Sequence, residues 1–242
     1  MKTATHRGQC IAYDVTGSGP AVVLQHGLLS NRLTWHQAGY VERLADAYTV
    51  VCVDSLGHGD SDKPTDASLY QREARAGDVV AVLDAEGIER AHYVGYSMGG
   101  WIGTGMLLFQ KPRLLSLTIG GWDPVGGMAS QPPMDFNQVV KMAREAAPQL
   151  AAWITDEVRP GLTAAWEALA DVSGVRPAME GAGIPMLLWA GHDDGCFEAM
   201  RTLAASIPGV EFLGAPGDHI TARMVHVQES VGGLRRFLDR VK

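Results

Sequence analysis

The stretch Val94-Gly95-Tyr96-Ser97-Met98-Gly99-Gly100 sets a serine two residues after one glycine and two before another. A chain that folds back sharply at that serine brings its own backbone so close that a side chain at either glycine would block the turn. The run Ala91-His92-Tyr93-Val94 reads as a strand entering the turn. Met98 to Gln110, stopped before Pro112, reads as a helix leaving it. Such a turn exposes the Ser97 hydroxyl at the carboxyl end of a sheet and aims the backbone N–H of Met98 into the same space. Ser97 is therefore the candidate nucleophile.

The rest of the chain supplies a sheet for that turn. Two strand-like runs, Gln9 to Asp14 and Ala21 to Gln25, flank Gly17-Ser18-Gly19-Pro20 and read as an antiparallel hairpin. The second runs into His26-Gly27-Leu28-Leu29, after which Val41, Leu44 and Ala45 give one apolar face to a helix. Tyr48 to Val53 is continuously apolar, as a strand covered on both faces should be, and empties into the polar turn Asp54 to Ser61. Ala76, Val79, Val80 and Leu83 then repeat at helical spacing, with Gly87 as the helix end. Beyond the serine helix, Leu114 to Ile119, Pro185 to Ala190 and Val210 to Leu213 read as further strands, and Val231, Leu234, Leu238 and Val241 mark one side of a last helix. Alternation of strands and helices implies an α/β fold, a parallel sheet with helices on both faces. Between Trp122 and Gly183 the alternation stops. Alanine-rich helical pieces there, broken at Pro148 and at Pro160-Gly161, predict a small helical cap over residues 122–183, inserted in a single domain of residues 1–242.

Charge and cysteine content limit the partners. The chain has 20 basic and 27 acidic residues, a net charge of -7, which argues against nucleic acid and against a polybasic membrane contact and points to a small-molecule ligand. MKTATHRGQC lacks the apolar core of a signal peptide, and no stretch approaches transmembrane length, so the expected location is the cytoplasm. Cys10, Cys52 and Cys196 are odd in number and scattered, as reduced thiols would be. No motif specifies an oligomeric state.

A serine hydroxyl attacks a carbonyl only with a base in hydrogen-bond reach and a third group to orient that base. Among the eight histidines, His219 fits best, since it follows the strand Val210 to Leu213 through the loop Gly214 to Asp218; His192 and His226 are the rivals. The strand Pro185 to Ala190 empties into Gly191-His192-Asp193-Asp194-Gly195, so Asp193 and Asp194 are both candidate carboxylates, and Asp123, after the strand Leu114 to Ile119, is a third. Asp218 suits a turn. His26 and His58 belong to no metal motif, and Gly100, Gly103 and Gly105 fall inside the serine helix, where close packing explains them better than a dinucleotide. Trp122, Met128, Trp153 and Trp166 are candidates for an apolar pocket under the cap, and Cys196 reads as inert.

With these residues in view, the chain resembles the α/β-hydrolase fold family along essentially its whole length. The resemblance implies an eight-stranded, mostly parallel sheet and a triad in the chain order serine, acid, histidine, matched by Ser97, Asp194 and His219. It selects Asp194 over Asp193 through the acid's place three residues after a strand-ending glycine. It also implies Leu28, the residue after His26-Gly27, as an oxyanion donor beside Met98. The implied activity is hydrolysis of carboxylic esters of small or medium, mainly neutral molecules through an acyl-enzyme, with no cofactor and no metal. Lactones, thioesters or activated carbon–carbon bonds are alternatives on the same triad, as are a lyase and a small-molecule receptor. Dehalogenase and epoxide hydrolase relatives use an aspartate nucleophile, and Ser97 argues against both.

Overall fold

The structure, a computed structural model, describes residues 1–128, 134–146 and 148–241. Strands β1 (Lys2–His6), β2 (Gln9–Thr16), β3 (Ala21–Gln25), β4 (Thr49–Val53), β5 (Ala91–Tyr96), β6 (Leu114–Gly120), β7 (Met186–Gly191) and β8 (Val210–Ala215) form one eight-stranded sheet in the order β1-β2-β4-β3-β5-β6-β7-β8. The pairs β1–β2 and β2–β4 are antiparallel, and all the other neighbours run parallel. The expected α/β sheet is present.

The expected hairpin of β2 with β3 is not. β4 lies between them. Gly17, at φ 85, passes so close to the start of β4 that a Cβ there would lie 2.4 Å from the carbonyl oxygens of Ala45 and Tyr48. The loop therefore passes across the start of β4 instead of reversing beside β2. The reason lies in β3, whose five residues are all buried: such a strand needs a hydrogen-bonded neighbour on each side, supplied by β4 and β5. The hairpin partner of β2 is β1, joined to it by Arg7-Gly8 at φ 50 and 75, a two-residue turn with left-handed backbone at both positions. β1 escapes sequence reading because Ala4 is its single buried residue.

Helices α1 (Leu33–Gln37) and α2 (Tyr40–Leu44) follow β3, α3 (Arg72–Ala85) precedes β5, and α4 (Met98–Phe109) follows it. Alternation along the strands divides the core in two. Val23, Val51, Tyr93 and Leu188 face α3 and α4, whereas Val22, Val50, Val94 and Leu187 face α2 and the last helix. Gly103 and Gly105 lie within α4, where a Cβ would meet the Tyr93 ring at 2.8 Å and the Arg72 carbonyl at 2.7 Å, so close packing on the sheet and on α3 accounts for both.

Between β6 and β7 the chain forms α5 (Phe136–Ala146), α6 (Pro148–Ala151), α7 (Arg159–Ala168) and α8 (Val175–Glu180). Phe136, Val140, Ala151, Ile154 and Leu162 make a separate small core with Leu29. Pro160-Gly161 does not break a helix as expected. Proline lies in the first turn of α7, where no intrahelical N–H bond is lost, and Gly161 lets that turn rest on the Pro64 carbonyl and the Tyr70 hydroxyl. α8 packs with α4 in the sheet core. The chain ends with α9 (Phe197–Ser206), α10 (Thr221–Met224) and α11 (Val227–Arg240). Among the described residues no helix is long and apolar enough to cross a membrane.

Two glycines in helices make opposite predictions. A Cβ on Gly99 would lie 2.2 Å from the Gln25 carbonyl oxygen, which belongs to backbone that cannot yield. Gly99→Ala should lower stability by about 3 kcal/mol. A Cβ on Gly232 meets only the end of Arg236, at 3.5 Å, so Gly232→Ala should gain up to about 1 kcal/mol from helix propensity. Urea unfolding of the two variants measures both.

Candidate active site

Ser97 holds φ 56 and ψ -120, a backbone conformation that side-chain-bearing residues avoid, and serves as the N-cap of α4. Its N–H donates to the Gly120 carbonyl at 2.7 Å, tying the turn to β6. Glycine on each flank permits the turn: a Cβ on Gly95 would lie 2.0 Å from the Gly99 carbonyl oxygen. Gly27, after β3, closes against the same point, with a Cβ there 3.0 Å from that of Ser97.

His219 reaches this hydroxyl from the loop after β8. Its Nε2 lies 3.1 Å from Ser97 Oγ, and its Nδ1 lies 2.8 Å from Asp194 Oδ2. The carboxylate beside Nδ1 assigns the ring proton there and leaves Nε2 to accept the serine proton. Asp194 itself is 7% exposed. Burial pushes its carboxyl up, but the hydrogen bond and charge of His219, with the Cys196 N–H donating at 3.3 Å, outweigh that and hold it below the ordinary 3.8. Burial, and then the charge of Asp194, push the Cys196 thiol well up, so it stays neutral.

The other candidates stand outside the relay. Asp193 is exposed and bonds to the Gly217 carbonyl through its backbone N–H. Asp123 Oδ1 accepts the N–H groups of Val125 and Gly126 at 3.0 and 2.9 Å. Asp218 accepts the N–H groups of Ile220 and Thr221, a turn role. The His192 ring packs edge-on against Phe197, and His226 occupies the N-cap position of α11 without a side-chain capping bond.

Leu28 lines the same cavity as Ser97. Met98 opens α4, where a helix leaves N–H groups without internal partners. Leu29, next to Leu28, turns the chain at φ 62 and buries its side chain among the α5 to α7 residues. His26 stabilises this loop: its Nε2 accepts the Ser55 N–H at 3.0 Å, which leaves Nδ1 to donate to the Gly27 carbonyl at 2.8 Å. Burial lowers His26 from 6.5 to about 4, against the opposing pull of Asp54. His58 is likewise fully buried and held neutral by that burial.

Two supports were not legible in the sequence. Tyr96 donates its hydroxyl to the His219 backbone carbonyl at 2.7 Å and sets its ring 5.3 Å from the imidazole. Arg32 is buried against Asp54 and also pairs with Asp14 and Asp60, bracing the loop after β3 against the turn after β4. A tyrosine inside the serine motif was the one visible sign of the first; the second pairs residues 22 positions apart with no local pattern.

For a metal, Asp14, His36 and Cys52 bring their ligand atoms within 4.8 Å of one another. Asp14 is already shared between Arg32 at 3.1 Å and His36 at 3.0 Å, and burial pushes the Cys52 thiol well up. Asp14 is thus engaged with Arg32 and His36 while the Cys52 thiol is disfavoured as a thiolate, and no ion is assigned to the three.

Above Ser97 opens a cavity of about 990 Å³, of a size that accepts a small organic molecule. Trp122, Met128, Met134, Trp166 and Leu169 give it apolar walls. Trp153, expected among them, instead sets its ring 5.7 Å from His58.

Comparison with known proteins accords with this architecture. The alpha/beta hydrolase fold profile matches residues 20–154. An uncharacterized protein of Mycobacterium tuberculosis is 40% identical over 120 residues, 49% of this chain and 33% of the relative, so the match spans about a third of that relative's length. The 3-oxoadipate enol-lactonase 1 of Acinetobacter baylyi is 26% identical over 211 residues, covering 78% of this chain and 77% of the relative. The solved enol-lactonase from Burkholderia xenovorans LB400 superposes with a TM-score of 0.78 over 98% of this chain and 100% of its own, at 22% identity, a likeness of fold.

The neutral His26 carries a pH prediction. Its folded-state value is depressed, so the unfolded chain binds the extra proton first, and stability is complete above 6.5 and lost as pH falls toward about 4. Between about pH 7 and about pH 5 this group alone should remove about 2 kcal/mol. His26→Asn should start less stable but lose less over that interval, measured by urea unfolding at the two pH values. Equal losses in both proteins would contradict the assignment.

Proposed function

The chain belongs to the alpha/beta hydrolase fold family, and we propose that it is a serine hydrolase that cleaves carboxylic esters of small or medium molecules through an acyl-enzyme. The observation that carries this reading is the unbroken relay from Asp194 through His219 to Ser97, at 2.8 and 3.1 Å, ending at a hydroxyl on a strained turn. A hydrogen-bonded serine, imidazole and carboxylate in this order is a nucleophile, a base and an orienting group.

In the proposed reaction Ser97 Oγ bonds to the ester carbonyl carbon as its proton passes to His219 Nε2. The carbonyl oxygen takes up the negative charge, stabilised by the N–H groups of Leu28 and Met98, each contributing about 3 kcal/mol to the transition state. Collapse breaks the carbon–oxygen bond to the alcohol, which leaves with the proton from Nε2. Water then attacks the acyl-enzyme by the same route, and the carboxylic acid departs. Asp194, held ionised, stabilises the imidazolium formed in each half. No cofactor is required.

Cyclic esters open by the same steps, and the likeness to an enol-lactonase over 78% of this chain supports including lactones in the substrate panel.

A panel of p-nitrophenyl esters and lactones, with a fluorophosphonate probe, tests the reading. Ser97→Ala should lower kcat/KM by about 10⁴-fold or more while moving stability by only about 1 kcal/mol. Asp194→Asn should cost about 10³-fold or more, far beyond Asp193→Asn. Full activity in Ser97→Ala would remove the mechanism, and probe labelling with one slow turnover would favour a receptor.

A further inference from the structure

Among the described residues four arginines are buried, Arg32, Arg72, Arg75 and Arg223. The first three each pair with an aspartate: Arg32 with Asp54, Arg72 with Asp171 and Arg75 with Asp78. Arg223 pairs with no carboxylate among the described residues, and burial lowers its pKa below the ordinary value. An unpaired charge in an apolar core is costly, so its surroundings must compensate in another way.

The compensation is aromatic. The guanidinium carbon of Arg223 lies 5.0 Å from the centre of the Trp35 ring and 5.5 Å from that of Tyr96. Tyr40 and Trp189 complete the group, with ring centroids 4.9 Å apart for Trp35 and Tyr40, 6.1 Å for Tyr40 and Trp189, and 4.9 Å for Tyr96 and Trp189. All four residues are 2% exposed or less. Attraction between a cation and a ring face strengthens as water is excluded.

The contacts of this cation lead to each part of the reactive centre. Arg223 itself stands four residues after His219, in α10. Tyr96 precedes Ser97, donates its hydroxyl to the His219 carbonyl at 2.7 Å and sets its ring 5.3 Å from the imidazole. Arg223 Nη1 donates to Thr34 Oγ1 at 3.2 Å, and that oxygen lies 3.0 Å from Ser30 Oγ. The Ser30 N–H in turn donates to the Gly27 carbonyl at 3.3 Å. One buried side chain thus joins the strand ending at the nucleophile, the segment carrying the base and the loop carrying Leu28. Neither Arg223 nor Tyr96 lines the cavity.

We propose that Arg223 is a positioning residue for the serine hydrolase reaction: held between Trp35 and Tyr96 and bonded to Thr34, it keeps the His219 segment in register with Ser97. This rests on the serine hydrolase reading and adds a residue to it. Arg223 touches no substrate and acts through the Tyr96 ring and through α10. A displacement of about 1 Å in a reacting group costs on the order of 10²-fold in rate.

The test follows p-nitrophenyl butyrate hydrolysis, with kcat counted per site titrated by a fluorophosphonate, so that unfolded protein does not enter. Arg223→Met keeps an unbranched chain in the core but removes the cation. It should lower kcat by about 10-fold to 10²-fold and leave KM within about twofold, since His219 serves both half-reactions. Arg223→Lys, a compact cation in place of a planar one, should lose about threefold or more, but less than Arg223→Met. Tyr96→Phe keeps the ring and loses the bond to the His219 carbonyl. It should also lower kcat, and its loss should not multiply with that of Arg223→Met, because the two act on one segment. Native kcat in Arg223→Met, a loss confined to KM, Arg223→Lys no faster than Arg223→Met, or multiplying losses in the double variant overturns the proposal and leaves the hydrolase reading intact. Native kcat in Arg223→Lys overturns it even where Arg223→Met fails to fold. If the native protein neither labels nor cleaves the ester, the hydrolase reading falls and this inference with it.

Discussion

Three backbone segments come closer together at Ser97 than any side chain would allow. A Cβ on Gly99 would strike the Gln25 carbonyl, one on Gly95 would strike that of Gly99, and one on Gly27 would press on Ser97 itself. The end of β3, the end of β5 and the first turn of α4 therefore form one rigid knot. Rigidity at that knot lets Ser97 keep φ 56, since a strained backbone persists only where its surroundings over-determine it. The same approach brings the loop carrying Leu28 against the turn at Ser97, so one steric constraint fixes both segments that border the hydroxyl.

Electrostatics then separate two kinds of buried ionisable group near the knot. His26 and His58 lie wholly inside and remain neutral: burial penalises both charged forms, outweighing the pull of Asp54 on His26, while at His58 the charges of His26 and Arg75 push the same way as burial. Asp194 is also buried, yet it ionises, because His219 and the Cys196 N–H offer it donors. His219 stays over a third exposed at its side chain, at the cavity wall. Neutral imidazoles shape the loop, and the half-exposed one faces the ligand space.

The parts of this arrangement differed in how legible they were. The glycine-serine-glycine spacing, the continuous apolar runs of β4 and β7 and the helical period of α3 report local geometry, so each could be read from neighbouring residues. β1 could not, since a strand with one buried residue carries no alternation. The pairing of β2 was misread because the turn-like Gly17 to Pro20 signals a loop but not its destination. Pro160 was misread as a break because proline disrupts a helix interior and suits its first turn, and only the helix boundary tells these apart.

Residue order alone determined that a serine would stand at a strand-to-helix reversal in a mostly parallel sheet, because steric limits and hydrophobic period act over a few residues. It also narrowed the relay to a few acids and histidines placed after later strands. Tertiary structure alone decided that Asp194, and not Asp123 or Asp193, faces His219, that Tyr96 and Arg32 brace the surrounding loops, and that Trp153 leaves the cavity wall. Those outcomes depend on contacts between residues far apart in the chain, whose distances follow from strand order and packing rather than from any local pattern.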